Sequence, residues 1–273
     1  MLTEIQSRAA QLMAANRSEA SYFAGGAALN EHTERLSDDL DVFHDSDDAI
    51  NDFCSRDMQA LERDGLDVFV DLDVRGCVEA RVRDESRRET VIQWMSETRM
   101  RFFPLVPDSL WGLRLHRSDL AANKVVAASF RGKPRDIVDL ALIRRDFCPL
   151  GPLFLAAAIK IEVKSPMALL DMARHRAVSV SLAAITGTYG QSGNWDASTV
   201  KASTLSELDE AEAFLTHLPD AMLGGLPVNA DGVPTADVKD MASLRPVADG
   251  GGRFPDFPDA SPDLSGVEGM EGI

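Results

Sequence analysis

The chain has 273 residues, 45% of them apolar, enough for two modest domains or one domain with a tail around a real core. Forty-four acidic against 28 basic residues give a formal charge of −16, which excludes a protein that coats nucleic acid or anionic membrane by net charge, though not a local basic site. Residues 75–145 run against that trend, with fifteen basic and nine acidic residues, net +6, while the remainder sums to −22.

In chain order, residues 2–16 are predicted to form an amphipathic helix opened by a Thr3-x-x-Gln6 capping box. Thr3, Glu4 and Arg8 interrupt the apolar run there, so no signal peptide is expected. A strand at Tyr22-Phe23-Ala24, a short helix after Gly25-Gly26 and a strand over Asp39–Phe43 follow. Asp47-Asp48 then open a helix to about Leu61, with Ile50, Phe53, Cys54 and Leu61 inward. From Leu66 the period becomes 2, with strands predicted from there to Val74 and at Val78–Val82, Thr90–Met95 and Met100–Leu105, and a turn at Asp84-Glu85-Ser86. Such clustered strands imply an antiparallel or mixed sheet, hence an α+β fold rather than a doubly wound one.

Pro104 and Pro107 mark a boundary, and from Ser118 the chain turns helical. Ser118 is read as the cap of a helix to about Phe130, Pro134 as the start of one to about Asp146, and Pro149 and Pro152 as bracketing another through Ile161. Ser165-Pro166 is a further helix start. Residues 177–187 are apolar and small, a polar loop spans Gly187–Asn194, and a last helix runs from about Leu205 to Leu218. Asn229-Ala230-Asp231-Gly232 is a hairpin turn between Leu226–Val228 and Val233-Pro234. The expected domains are a core at 1–115, a helical region at 116–222, a hairpin-like extension at 223–243 and a disordered acidic tail at 244–273. No stretch approaches ~18 uncharged apolar residues, so no membrane span is expected. Cys54, Cys77 and Cys148 have neither metal nor disulfide spacing, which reads as reduced thiols in the cytoplasm.

Two stretches carry candidate chemistry. Asp39 and Asp41 stand at i and i+2 on a strand, so both side chains share a sheet face. Two carboxylates that close repel unless a cation lies between them, and oxygen-only ligands suit Mg²⁺ with a substrate phosphate. Gly26 permits close backbone approach to a phosphate. Taken singly, an Asp-x-Asp is as readily an acidic surface strand and a Gly-Gly a turn. The second stretch holds Lys124, Arg131, Arg135, Asp136 and Asp139. Spacing alone leaves two readings: a buried salt-bridge knot joining two helices, or a lysine that meets a triphosphate with an acid orienting it.

Gly25-Gly26 with Arg35, Ser37 and Asp39-Leu40-Asp41-Val42-Phe43 resembles the first motif of the AbiEii/AbiGii-type nucleotidyltransferase toxins. Lys124, Ala127, Arg131, Arg135-Asp136 and Asp139-Leu140 resemble the same family's downstream motif, so the likeness spans about residues 20–145. It implies a minimal nucleotidyltransferase sheet flanked by helices, a bound Mg²⁺ and nucleoside triphosphate (NTP), and a helical C-terminal region. It also implies a toxin paired with an antitoxin or serving phage defence, with tRNA as one acceptor. By position, Asp39 and Asp41 become the metal carboxylates, and Gly25, Gly26, Arg35 and Ser37 line the nucleotide. Lys124, Arg131 and Asp136 complete the site, with Asp139 a further candidate.

One position departs from the pattern. The strand expected to carry a third carboxylate holds Gln93, which can coordinate a metal but cannot act as a base. Glu79, Asp71, Asp73 or Asp136 are the substitutes within reach of the sequence argument, and a nucleotide-binding protein with weak or lost activity is the alternative function. The histidines show no ligand spacing; His44 is read as a surface or loop residue and His116 as structural. Trp94, Phe102 and Phe103 are read as core rather than a base-stacking wall. The run Arg81, Arg83, Arg87, Arg88, Arg99 and Arg101 is a solvated sheet face or, if it lines a cleft, a hold on an RNA backbone.

Overall fold

A computed structural model describes residues 1–97, 100–162, 165–188, 196–219, 222–223, 225–238 and 243–246. The chain divides into two compact units, Met1–Arg99 with Pro104–Leu120, and Met100–Phe103 with Ala121–Ile273.

The first unit is built on a mixed sheet. Its strands are β1 (Ser21–Ala24), β2 (Asp39–His44), β3 (Asp67–Val74), β4 (Cys77–Arg83), β5 (Glu89–Ser96), β6 (Val106–Asp108) and β7 (Gly112–Arg114). Their order is β3-β4-β5-β2-β1-β7-β6, which makes β2 the central strand. β2 runs antiparallel to β1 and parallel to β5, and the β3–β4–β5 meander is antiparallel. The α+β expectation holds.

Alternation sorts the sheet faces. Leu40, Val42, Ile92, Trp94, Ala80 and Val82 are buried on one face, and α1 (Glu4–Met13) and α3 (Asp47–Arg63) pack there. α1 opens with the expected box: Gln6 N donates to Thr3 Oγ1 at 3.3 Å, and Thr3 N to Gln6 Oε1 at 2.9 Å. The helix ends at Met13, and Ala14–Asn16 continue as a 3₁₀ turn. Inside the packed face, Arg17 Nη2 meets Asp57 at 2.5 Å with both side chains fully buried. Asn16 Nδ2 and Trp94 Nε1 each donate to Asp57 at 2.8 Å, so the anion's lone pairs are satisfied. Trp94 is core, as expected.

Several sequence expectations are corrected. Met100–Leu105 is not a strand; Phe102 and Phe103 are instead buried in the second unit, packed with Ala122, Ala156, Leu226 and Val228. The short β6 and β7 were hidden by Pro107 and by the few residues available to show a period. Asp84–Arg88 forms the anticipated turn, closed by Arg87 N to Asp84 O at 2.9 Å.

The second unit is helical. α4 (Arg117–Phe130) begins one residue before Ser118, and it is His116 Nδ1 that accepts from Ser118 N at 3.2 Å. α5 (Pro134–Asp146), α6 (Leu150–Lys160), α7 (Pro166–Ser179) and α8 (Leu182–Thr186) follow. Ser165 caps α7 through Ala168 N, with Pro166 in its first turn. α9 runs Ala197–His217, about two turns longer at its start than predicted, because Asp196 caps it by accepting from Thr199 N at 2.9 Å. It packs on α5 through α8; Gly151 on α6 lets Phe214 approach where a Cβ would sit 2.7 Å from the ring. The turn at Asn229–Gly232 forms, with Val228 bridging Pro234. Leu226-Pro227 (β8) additionally pairs with Leu244-Arg245 (β9), at what was expected to be the start of a tail. The rest of that tail, from residue 247, lies outside the described residues, as do 189–195 of the polar loop.

Candidate active site

Asp39 and Asp41 stand on β2, with alternate side chains on the sheet face opposite α1 and α3. Asp39 is half-buried and Asp41 is 9% exposed. In register, Asp41 lies beside Ala24 on β1 and Gln93 on β5, and Asp39 beside Val91. A glycine is required next to them. Gly25 has φ +71°, and a Cβ there would lie 1.5 Å from Asp41 Oδ2 and 2.3 Å from its Cγ. The Asp41 carboxylate therefore rests on the bare Cα at the β1–α2 junction, where α2 (Gly25–Leu29) begins.

The loop leading into β2 is pinned from two sides. Gln6 Nε2, on the first turn of α1, donates to Ser37 O at 2.8 Å. Ser37 Oγ donates to Asp39 Oδ1 at 3.3 Å, so the serine orients one of the two acids. Arg35 is 2% exposed, and its Nη1 donates to Leu36 O at 3.3 Å. Gly26 is buried in α2.

Gln93 and Glu79 extend the same face outward. β4 places Glu79 beside Gln93, and Gln93 Nε2 donates to Glu79 Oε2 at 2.5 Å. That bond turns the amide nitrogen toward Glu79. The strand neighbouring Asp41 thus offers an amide, and the carboxylate is one strand further out. Asp71 is the extra residue of a bulge in β3 and pairs with Arg81 at 2.6 Å. Among the described residues, no group of three or more His, Cys, Asp or Glu side chains is arranged to hold a metal ion. The donor set on offer is two carboxylates and an amide, all oxygen ligands on central strands. It fits a hard divalent cation that keeps waters and substrate phosphates in its remaining positions.

His44 is corrected. It ends β2 with its ring fully buried, 3.1 Å from Ser21 Oγ and 5.6 Å from the Phe53 ring centroid. Burial, helped by nearby Arg17, holds its pKa down at about 4, so it is neutral near pH 7. The basic run is largely spoken for: Arg81 pairs with Asp71, Arg83 with Asp67, and Arg88 with Asp84 and Glu4.

The second motif forms its own cluster in the helical unit. Lys124 on α4 is 6% exposed; its Nζ lies 2.9 Å from Asp139 Oδ2 and 3.9 Å from Asp136 Oδ1, both acids fully buried on α5. Arg131 Nη2 lies 2.9 Å from Asp136 Oδ1. The salt-bridge knot considered from spacing is thus formed. Sequence reasoning missed Asp57, whose position on a polar stretch of α3 gives no sign of burial.

No family model matches the chain, and no curated protein matches it. Solved structures do. MenT4, the nucleotidyltransferase toxin Rv2826c from Mycobacterium tuberculosis H37Rv, is 16% identical with a TM-score of 0.59, over 80% of this chain and 83% of that one. A candidate nucleotidyltransferase from H. pylori is 17% identical with a TM-score of 0.48, over 79% of this chain and 96% of that one. The fold is therefore shared with the MenT4 toxin at a sequence identity that fixes architecture alone.

Proposed function

We propose that the chain is a Mg²⁺-dependent nucleotidyltransferase that moves a nucleotide from an NTP to an acceptor hydroxyl, with tRNA as the candidate acceptor. We further propose that it is the toxin of a toxin–antitoxin or phage-defence pair. The observation that carries the catalytic reading is the Asp41 carboxylate seated on the bare Cα of Gly25, with Asp39 on the same sheet face. The fold shared with MenT4 supports the same reading and motivates the toxin role.

In this reading Asp39 and Asp41 would hold Mg²⁺, which would supply charge neutralisation on the triphosphate. Ser37 keeps the Asp39 carboxylate turned, through the bond from its hydroxyl. The Asp41 carboxylate fills the space a Gly25 Cβ would take, so that glycine seats the acid, and the sequence resemblance assigns Gly26 to the phosphates. Lys124 and Asp136 are assigned to the same reaction by the sequence resemblance. Gln93 accepts no proton, so it serves as a neutral oxygen donor. Positioning and fixed charge supply most of the acceleration in such a transfer.

Gln93 beside Asp41 favours a second reading, a nucleotide-binding protein of weak or lost activity on the same fold. The two separate in one experiment. Labelled NTPs, Mg²⁺ and total RNA are incubated with wild type and with Asp39→Ala/Asp41→Ala, and Mg²⁺–NTP binding is followed by calorimetry. Labelling by wild type alone supports transfer. Binding by wild type without labelling across acceptors supports the second reading. Equal and negligible binding by both proteins removes both.

A further inference from the structure

Three neighbouring strands, β2, β5 and β4, set Asp41, Gln93 and Glu79 side by side in register, so the three side chains share one sheet face. Each step between strands is about 4.8 Å, so Glu79 meets Asp41 only across the amide that stands between them. Gln93 and Glu79 are both half-buried. Arg81, two residues after Glu79 and on the same face, is the base that would ordinarily pair with such a glutamate. The bulge in β3 diverts it: Arg81 Nε and Nη2 lie 2.6 and 2.9 Å from the two carboxylate oxygens of Asp71. Among the described residues no cation pairs with Glu79, and its hydrogen-bond partner is Gln93 Nε2, at 2.5 Å.

An ionised carboxylate only accepts hydrogen bonds, so Glu79 decides which end of the Gln93 amide it meets; the reverse orientation would set oxygen against oxygen. The bond is charge-assisted, hence about twice as strong as one between neutral groups. With the nitrogen committed outward to β4, the oxygen of the same planar group is the end left for the side of β2, where Asp41 stands. An oxygen, and not an NH₂ group, is what a hard cation on Asp39 and Asp41 would accept as a ligand.

We propose that Glu79 is a positioning residue of the candidate metal site: by holding the Gln93 nitrogen it presents the Gln93 oxygen to a divalent cation on Asp39 and Asp41. The inference rests on the metal-binding reading above. It gives Glu79 a task other than that of a third metal carboxylate, because its own carboxylate stays on the amide.

The test follows Mn²⁺ binding to the full chain by electron paramagnetic resonance, without nucleotide. Binding by wild type that Asp39→Ala/Asp41→Ala abolishes establishes the site. Glu79→Ala is then expected to weaken Mn²⁺ by at least about threefold, because the released amide regains its rotamers and presents either end. Removing a nearby negative charge would act in the same direction through its field alone, so the deciding background is Gln93→Glu. A carboxylate at 93 has two equivalent oxygens and needs no orienting partner, so there the added Glu79→Ala should change Mn²⁺ affinity by less than about twofold, whereas a field effect would persist undiminished. Glu79→Gln, which keeps the side chain's size and meets the amide with either end, should behave like Glu79→Ala and serves if the alanine variant melts early. The Gln93 side-chain amide protons, assigned by their loss in Gln93→Glu, should exchange slowly in wild type and remain slow when Mg²⁺ is added. Equal Mn²⁺ affinity of wild type and both Glu79 variants, or the same loss in both backgrounds, overturns the positioning role and leaves the Asp39–Asp41 site standing. So does fast amide exchange on adding Mg²⁺, which would mean that Glu79 had left Gln93 for the metal. No Mn²⁺ binding that depends on Asp39 and Asp41 overturns both this proposal and the reading beneath it.

Discussion

Gly25→Ala puts the candidate site under the most direct test. The substitution has two costs. Forcing an alanine to φ +71° costs about 1–2 kcal/mol, the penalty of a left-handed conformation for an L side chain. The new Cβ would also stand 1.5 Å from Asp41 Oδ2. Restoring ordinary van der Waals contact moves that carboxylate by roughly 2 Å, and a misplacement of about 1 Å can already cost ~100-fold in rate. Gly65→Ala is the matched control: its φ is +81°, and nothing lies within 4 Å of the added Cβ. Both variants are therefore expected to lose a few degrees in thermal melts. Only Gly25→Ala should lose nucleotidyl transfer by about 100-fold or more and weaken Mn²⁺ binding, read by electron paramagnetic resonance. If Gly25→Ala matches Gly65→Ala in both transfer and Mn²⁺ binding, the carboxylate on that glycine is not part of a metal site.

Asp57→Ala leaves Arg17 charged and buried without its carboxylate and is expected to destabilise by about 3–5 kcal/mol in urea titrations, far more than exposed Asp52→Ala. His44 has a folded pKa of about 4, below its unfolded 6.5, so the unfolded chain binds the extra proton between those values. Its contribution is full above pH 6.5 and lost as pH falls to about 4, amounting to about 3 kcal/mol, and His44→Gln should remove that slope from wild-type stability curves. Lys124→Met removes the cation 2.9 Å from buried Asp139, while Asp136 keeps Arg131, and is expected to cost about 3 kcal/mol; Lys124→Met/Asp139→Leu should recover part of the stability but no transfer activity. Cys54 is buried with its thiol pKa pushed up to about 12, so it should not react with a thiol reagent at pH 8 until the chain unfolds.

Local signals were legible wherever one residue type does one job. The Thr3-x-x-Gln6 box, the Ser165-Pro166 start and the alternation across β4 and β5 each formed as read. The pairing of Asp39 with Asp41 on one face followed from strand period alone. What stayed hidden depends on partners distant in sequence. Asp57 looks like one more polar residue on a helix until Arg17, forty positions earlier, arrives to neutralise it. Phe102 and Phe103 sit in a short apolar run that reads as a strand, yet Leu226 and Val228 bury them without a ladder. Gly25 reads as a turn residue, and its closeness to Asp41 appears only when β1 and β2 are laid side by side.

The parallel pairing of β2 with β5 has a consequence for the order of assembly. One flank of the acid-bearing strand is supplied by β1, which ends at Ala24, before the short helix α2 and the loop into β2. The other arrives only after a helix and a complete hairpin have been synthesised. Closing that longer connection costs more chain entropy before any ladder bond is gained. A ribosome-bound chain that stops short of residue 89 leaves β2 with a raw edge beside Asp39 and Asp41, so the constellation those acids form belongs to the finished sheet and to no earlier fragment.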